Sequence, residues 1–561
     1  MAFHDHEDKG GSRQSASLAM NPTLELEVDG MREDRGQSRR FARLIDASAA
    51  FLEVHPWAIF AVIALLYLIY LYLAIGVTKP PLWHDELFTY YIAQAPTFGQ
   101  MLQQARTVDL NPPLYYIIAR FVFKFLPPDS FSVRLPSMVA FLLAASFLYS
   151  FVRRRLTPIY GFLSAVVLLG SMYANYAHEA RPYALVLAFL GVAAAGWQRA
   201  TEQGSRTSWL GMLLLVMGGF GMLLSHVLAL IAYGAFFFAE AVRFCIRRKS
   251  DWLLWVCLFL PLTTVALYAP LLRSHAAGAF PSEFQASLSR LSDNYVAIWT
   301  SLGPLLAAAM VAIILLGRQE GASSATARGS GFSGAEWSFA VYLLFVPLIV
   351  AVIFIRSHSA YFDRYGMPAV FGASILVPGL IAGWTRTNRV AALLAAGVFA
   401  FGMVLPIAFA TYEQQIIHRP EDDNPDLTGY SLTSLDEVEK SLPFVDASGL
   451  TFLEMDSRED KDFLSRVYYL TDTQAAMQYS HATIFESFGA LKSVFPIRAN
   501  IMPYRQFVRL HPKFLVFGTV DYPEDWLLRK LLADGATMRY LGDFATSYKD
   551  STLYEITLPQ Q

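Results

Sequence analysis

Apolar runs of membrane-spanning length recur between Trp57 and Thr411, and they constrain the fold more than any other feature of this sequence. A run of about 18 or more apolar residues can cross roughly 30 Å of hydrocarbon as a helix. Backbone polar groups cannot be left unpaired in lipid, so each run that crosses must be helical. Charged residues make up only 16% of the 561 residues, against about 25% in soluble domains. The sequence therefore predicts a polytopic α-helical membrane protein.

The apolar runs predict about eleven transmembrane helices, preceded by a polar N-terminal segment. A further stretch, Pro113–Leu126, is short and contains Arg120 and Lys124, so we predict that it lies at the membrane surface. The predicted spans are Trp57–Ile75, Val133–Phe151, Pro158–Tyr173, Pro182–Trp197, Trp209–Leu224, Val227–Phe244, Trp252–Leu271, Ala297–Leu316, Phe339–Ile355, Met367–Trp384 and Val390–Thr411.

The distribution of basic residues predicts the orientation of these helices. If Pro113–Leu126 lies on the surface, the Arg153–Arg155 triplet and the Arg247–Lys249 cluster share one side with the N-terminal arginines. That side is the cytoplasm by the positive-inside rule. If Pro113–Leu126 spans instead, the triplet lies outside and the later helices invert. We therefore predict a disordered cytoplasmic tail over residues 1–50 and a multi-pass protein of a plasma membrane, the bacterial inner membrane.

The chain beyond Tyr412 has the composition of a soluble domain. Residues 51–411 are predicted to form the transmembrane domain, and residues 412–561 a periplasmic or extracellular α/β domain. The short apolar segments in this domain predict strands at Thr451–Met455, Phe514–Gly518, Met538–Tyr540 and Leu553–Leu558. Helical periodicity predicts helices at Glu459–Leu470 and Glu524–Ala533.

Composition excludes several classes of function. The net charge of −2 gives no case for nucleic acid binding, and Cys245 and Cys257 offer neither a disulfide framework nor a zinc cluster. No metal site is predicted. No Gly-rich nucleotide-phosphate motif and no Asp-x-Asp nucleotide-sugar motif stands out, which favours a lipid-phosphate donor over a soluble nucleotide sugar.

Two carboxylates and an imidazole follow the first span, at His84, Asp85 and Glu86. A carboxylate in this position could accept a proton from an acceptor hydroxyl. The alternative is an interfacial belt in which Trp83 lies at the headgroup level and the charges are simply hydrated.

Three other polar clusters share the same predicted face of the membrane. An arginine at the outer mouth of a helix can bind a phosphate with two parallel hydrogen bonds. The alternatives are local ion pairing of Arg181 with Glu179 and of Arg364 with Asp363, and an interfacial anchoring role for the motif around Asn111. The three clusters comprise His178, Glu179, Arg181 and Tyr183; Arg364 and Tyr365; and Asp109, Asn111 and the prolines and tyrosines that follow.

The order of these motifs resembles the GT-C superfamily of glycosyltransferases, which use lipid-linked donors. The motifs are Asp85-Glu86, Asn-Pro-Pro-Leu-Tyr-Tyr from Asn111, Arg134-Leu135-Pro136, Glu-Ala-Arg-Pro-Tyr from Glu179, and Arg364-Tyr365. The resemblance covers roughly residues 57–384. It is strongest to the bacterial branch related to protein O-mannosyltransferases and the lipid A aminoarabinose transferase.

The resemblance implies a reaction and assigns residues to it. Asp85 is the expected general base, with Glu86 assisting, and the donor is a polyprenyl-phosphate sugar whose phosphate Arg364 and Arg181 bind. Transfer inverts the anomeric centre, most members of this branch need no metal, and the acceptor is a glycan, a lipid or a protein. His84 has no assigned family role. The remaining residues expected in the same cavity are His84, Glu179, His178, Tyr183, Tyr365 and Asn111.

Two other functions remain open from the sequence. A transporter or flippase would carry ionisable residues near the middle of the bilayer, on interrupted helices. A scaffold or receptor would bind a partner through the domain beyond Tyr412, and Asp85 would be dispensable.

Overall fold

A computed structural model describes residues 44–77, 81–109, 111–202, 208–268, 285–316, 331–412, 441–481, 491–519, 526–544 and 551–559. Most of the predicted N-terminal tail therefore lies outside the described residues, but residues 44–54 form a helix, α1. Arg389, near the start of the last apolar helix, pairs with Asp46 of α1 at 2.8 Å.

The apolar part of the chain is a helical bundle with a short helical excursion after its first span. Its helices are α2 Pro56–Leu71, α3 His84–Ala93, α4 Phe98–Thr107, α5 Leu114–Val122, α6 Ser130–Arg153, α7 Pro158–Leu169, α8 Tyr183–Thr201, α9 Ser208–Ser225, α10 Ala229–Arg247, α11 Trp252–Phe259, α12 Leu288–Leu316, α13 Gly334–Leu344, α14 Val346–Ser357, α15 Met367–Thr385 and α16 Arg389–Tyr412.

In the described part of the chain, six helices are long and apolar enough to cross a membrane, or up to eight if each bent pair is one span. The bent pairs are α7 with the 3-10 helix Met172–His178, at 78°, and α13 with α14, at 44°. These helices and three shorter apolar ones fall at the positions of the predicted spans. The predicted positions and the polytopic helical fold are thus confirmed, while the count of about eleven stays a prediction.

Helix α5 has nine residues. It is therefore about 14 Å long, far short of the hydrocarbon thickness. Phe121 and Phe125, at its end, are 57% and 72% exposed. A short helix with exposed aromatic side chains suits the membrane surface, as the sequence predicts for Pro113–Leu126.

The C-terminal region is an α/β domain built on one six-stranded sheet, in the order β3-β2-β1-β4-β6-β5. Strands β1 to β4 run parallel to one another, β6 pairs antiparallel with β4, and β5 pairs antiparallel with β6. Its elements are β1 Phe444–Asp446, α17 Gly449–Arg458, α18 Lys461–Leu464, β2 Val467–Thr471, α19 Thr473–Ser480, β3 Asn500–Pro503, α20 Tyr504–Leu510, β4 Lys513–Gly518, α21 Trp526–Ala533, β5 Thr537–Phe544 and β6 Ser551–Thr557.

Two predictions in this domain are wrong. Thr451–Met455 lies in helix α17 rather than in a strand, because Ser448 caps the helix by accepting a hydrogen bond from the Leu450 N–H. The predicted helix Glu459–Leu470 is instead the short α18 followed by strand β2. A short apolar run does not distinguish a buried strand from a buried helix by periodicity. The strands predicted near β4, β5 and β6 and the helix near α21 are confirmed.

One face of the C-terminal sheet packs against the helices that follow the first span. A single hydrophobic cluster contains Leu87 and Ile92 of α3, Met101 of α4, and Phe444 and Phe452 of the C-terminal domain. This domain therefore rests directly on the helix that begins with His84, Asp85 and Glu86.

Candidate active site

Asp85 lies in the first turn of α3, which begins at His84 after the extended residue Trp83. Carboxylates are favourable there because the first N–H groups of a helix have no partner within it and the helix dipole is positive at this end. Glu86 uses this position by accepting a hydrogen bond from the Trp83 N–H, at 3.3 Å.

The Asp85 carboxylate is surrounded by three basic side chains. Its oxygens lie 2.9 Å from His84 Nε2, 3.3 Å from Arg364 Nη1 and 3.6 Å from Arg181 Nε. Burial alone raises the pKa of the Asp85 carboxyl, but Arg181, His84 and Arg364 outweigh burial and hold this pKa well below its usual range. Asp85 is therefore ionised throughout the physiological pH range.

Arg181 is held between two acidic residues. Its Nη1 donates to Asp109 Oδ2 at 2.8 Å and to the backbone carbonyl of Asp85 at 3.1 Å. The Tyr116 hydroxyl also donates to Asp109, and Asn111 donates to the Asp109 carbonyl oxygen. Asn111 therefore supports the site through Asp109.

Glu86 is fully buried and forms an ion pair with Arg134 of α6. Arg134 Nε lies 2.7 Å from one Glu86 oxygen and its Nη2 lies 2.5 Å from the other, and the Ala180 N–H donates to the same carboxylate at 2.7 Å. These contacts tie α3 to α6 and to the turn before α8. The geometry indicates a structural role for Glu86, and the assisting role that the resemblance implies stays a prediction.

Glu179 lies in the same cluster and has a different environment. Burial, followed by the neighbouring Glu86 and Asp85 carboxylates, raises the pKa of Glu179 to about 8. Within the described residues its Oε2 is buried and has no hydrogen-bond partner. The alternative pairing of Glu179 with Arg181 is not among the ion pairs of the described residues, since Arg181 contacts Asp85 and Asp109 instead.

Arg364 is one of the residues that line a mostly apolar, partly open cavity. Its guanidinium stacks on Phe362 at 4.3 Å and approaches the Tyr183 ring at 5.6 Å. Its Nε is buried and has no hydrogen-bond partner within the described residues. The cavity is lined by Tyr183, Val186, Leu187, His226, Leu228, Ala229, Ala232, Val346, Val350, Arg364, Tyr365, Met367 and Pro368.

The structure gathers most of the predicted residues near one another, and three of them line the apolar cavity. Arg364, Tyr183 and Tyr365 line the apolar cavity, whereas Asp85 and Arg181 contact one another beside it. His178 is not among the lining residues; its ring lies 5.9 Å from that of Tyr70 in α2. His226, which the sequence suggests only as a structural residue at an external turn, is a lining residue. No group of three or more His, Cys, Asp or Glu side chains that could hold a metal occurs in the described ranges.

Sequence reasoning missed the contributions of Asp109 and Arg134. Arg134 lies in a motif that carries the family resemblance, and Asp109 lies two residues before the Asn-Pro-Pro motif. A charge within an apolar helix is costly unless it is paired. That rule could have marked Arg134 as a residue in need of an acidic partner, but it does not identify Glu86.

Comparison with known proteins extends these observations. Residues 110–268 match the family model described as dolichyl-phosphate-mannose-protein mannosyltransferase. The structure is similar to the crystal structure of ArnT from Cupriavidus metallidurans bound to undecaprenyl phosphate, with a TM-score of 0.49 and 14% identity over 89% of this chain and 98% of that chain. The apo state of ArnT from Cupriavidus metallidurans gives a TM-score of 0.49 and 12% identity over 89% and 97%.

No curated protein is significantly similar to this chain in sequence. The segment that matches the family model contains Arg134-Leu135-Pro136 and the Glu-Ala-Arg-Pro-Tyr motif that includes Arg181. Over residues 110–268, therefore, the match confirms the resemblance to the GT-C glycosyltransferases that these motifs predict.

Proposed function

We propose that this protein is a membrane glycosyltransferase that moves a sugar from a polyprenyl-phosphate carrier to an acceptor hydroxyl at the outer face of the membrane. The observation that carries the proposal is the contact of Asp85 with both Arg181 and Arg364, beside a mostly apolar cavity that Arg364 lines. A carboxylate base next to phosphate-binding guanidinium groups is what displacement at an anomeric carbon requires.

Arg364 is the better placed of the two arginines to receive the donor phosphate. Arg181 already contacts two carboxylates, whereas the ion pairs of Arg364 in the described residues involve Asp85 alone. The Nε atoms of Arg364 and Arg181 are both buried without a hydrogen bond in the described residues, and such donors are costly unless a ligand satisfies them. The apolar wall of the cavity suits the prenyl chain. Arg181 then orients Asp85 and adds positive charge near the phosphate.

The surrounding cations keep Asp85 ionised but make it a weak base in the free enzyme. A donor phosphate bound at Arg364 would compete with Asp85 for that guanidinium and thereby increase the basicity of the carboxylate. Asp85 then accepts the proton of the acceptor hydroxyl while the hydroxyl oxygen forms a bond to the anomeric carbon. The bond from that carbon to the phosphate oxygen breaks, polyprenyl phosphate leaves, and the configuration inverts.

A transfer assay tests this function. The purified protein is incubated with a panel of polyprenyl-phosphate sugars and with glycan, lipid and protein acceptors, and the products are identified by mass spectrometry. We expect transfer by the wild type, none by Asp85→Asn, and loss of donor binding in Arg364→Ala. Asp129→Asn is the matched control, because Asp129 caps α6 through a hydrogen bond that asparagine also accepts.

Other outcomes would replace the proposal. Full transfer by Asp85→Asn would remove Asp85 as the base. Flux of a lipid-linked sugar across proteoliposomes without covalent transfer would establish the transporter or flippase function. Binding of a partner by the protein, with Asp85 dispensable, would establish the scaffold or receptor function.

A further inference from the structure

The loop that leads into Asp85 is held by the C-terminal domain. The His84 N–H donates to Glu454 Oε1 at 3.1 Å, and Arg458 Nη2 donates to the Leu82 carbonyl oxygen at 2.7 Å. Glu454 and Arg458 are one turn apart on α17 and lie 3.6 Å from each other. Glu454 and Arg458 therefore form hydrogen bonds with the peptide groups on both sides of Trp83.

The chemistry of this contact is that of a helix cap supplied from another domain. His84 is the first residue of α3, and its N–H has no acceptor within the helix. The Glu454 carboxylate supplies that acceptor and places a negative charge at the positive end of the helix dipole. Glu454 is 1% exposed, so bulk water does not compete for this carboxylate.

The surrounding packing makes this cap rigid. Phe88 and Tyr91 of α3 contact the ring of Phe495 in the C-terminal domain, at centroid distances of 5.5 and 5.1 Å. The apolar cluster shared by the two parts of the chain continues this contact along α3. The first turn of α3 is thus fixed on one side by Glu86 and Arg134 and on the other by α17.

We propose that Glu454 and Arg458 are positioning residues for Asp85, and that the C-terminal domain is an integral part of the catalytic site. This inference rests on the proposed function. Asp85 lies 3.3 Å from Arg364 and 3.6 Å from Arg181, so a small displacement of the loop separates the carboxylate from both guanidinium groups. A misplacement of about 1 Å can cost roughly 100-fold in rate.

The test uses the full chain with Glu454→Ala, Glu454→Gln and Asp472→Ala. Glutamine keeps an oxygen that can accept the His84 N–H, whereas alanine removes it. Asp472 caps α19 within the same domain by accepting a hydrogen bond from the Ala475 N–H. Asp472→Ala therefore also removes a capping carboxylate from this domain, but it leaves the contacts of the Asp85 loop intact. We expect Glu454→Ala to lower kcat by roughly 10- to 100-fold with little change in KM for the donor. Glu454→Gln should restore most of kcat, and Asp472→Ala should leave it near wild type.

Hydrogen exchange provides a readout that does not depend on turnover. The amides of residues 83–87 should exchange faster in Glu454→Ala than in the wild type and in Asp472→Ala. Unchanged kcat and exchange in Glu454→Ala would overturn the inference, as would equal losses in Asp472→Ala. If no donor is transferred by the wild type, the proposed function fails, and the exchange of residues 83–87 alone decides whether the domain positions the loop.

Discussion

Glu179 is a buried carboxyl group whose protonation couples stability to pH. Its pKa rises from an ordinary value of 4.5 to about 8 through burial and the neighbouring carboxylates. The folded protein therefore keeps a proton that the unfolded chain releases, and the stabilisation is full below pH 4.5 and is lost as the pH rises to about 8.

We predict that Glu179→Gln becomes more stable relative to the wild type as the pH increases. Glutamine keeps the shape of the neutral carboxyl and never acquires a buried charge. The difference in the thermal midpoint in detergent, variant minus wild type, should grow by roughly 2–4 °C or more between pH 5 and pH 8.5. Asp462→Asn, at an exposed position, should show no such trend, and a pH-independent difference for Glu179→Gln would contradict the prediction.

We predict that the ion pair of Glu86 with Arg134 contributes mainly to the stability of the fold rather than to catalysis. Both side chains are buried, at 0% and 4% exposure, so Glu86→Ala leaves a guanidinium without its countercharge. Breaking a buried pair in this way costs about 3–5 kcal/mol. We expect a large fall in thermal midpoint for Glu86→Ala and a smaller one for Glu86→Leu combined with Arg134→Met. A double variant less stable than Glu86→Ala would refute this explanation.

At the scale of elements, α8 and α9 pack so closely that their backbones touch. A Cβ atom on Gly196 would lie 2.4 Å from the Leu215 backbone nitrogen and 2.7 Å from the Gly211 carbonyl oxygen. Small residues allow this approach, which membrane helices use to gain packing energy in the absence of a hydrophobic driving force. The backbone atoms of α9 cannot move aside individually, so a side chain at Gly196 must push the helices apart.

We predict that Gly196→Ala lowers the yield of folded protein and its thermal midpoint. The overpacking should lower the free energy of unfolding by about 1–3 kcal/mol. The matched control is Gly397→Ala in α16, where a Cβ atom meets nothing within 4 Å. That substitution should be neutral, or stabilising by about 0.5–1 kcal/mol, because alanine favours the helix. Size-exclusion profiles and thermal midpoints of the two variants in the same detergent provide the comparison. Equal effects would show that helix propensity rather than packing determines the result.

The sequence predicts the membrane helices better than the elements of the C-terminal domain, for a physical reason. In lipid, hydrophobicity and backbone hydrogen bonding both require an apolar run to be helical, so composition alone locates α2 or α6. In the C-terminal domain, Phe452 and Val467 are equally buried, yet one lies in a helix and the other in a strand. Local pattern cannot separate them, because the tertiary contacts decide.

The same distinction applies to the candidate site across the whole molecule. Residue types and orientation place Asp85, Arg181 and Arg364 on one face, and the structure brings them into contact. The acceptor of the His84 N–H is Glu454, 370 residues away in sequence, in a domain where no motif marks it. A cap between residues so far apart in sequence can be recognised only in the structure, whereas charged residues beside apolar runs can be recognised in the sequence.

At the scale of the whole molecule, the orientation in the membrane is the prediction on which the outer-face chemistry depends. Cys245 is exposed near the end of α10, beside the basic cluster Arg247–Lys249, and the positive-inside rule places this end in the cytoplasm. In sealed right-side-out vesicles of a Cys257→Ser protein carrying Gln474→Cys, a membrane-impermeant maleimide should label the cysteine at position 474, which is exposed in the C-terminal domain. Cys245 should react only after the vesicles are permeabilised. Labelling of Cys245 in sealed vesicles, with position 474 protected, would show that the orientation is the reverse of the predicted one and that Asp85 lies on the cytoplasmic side.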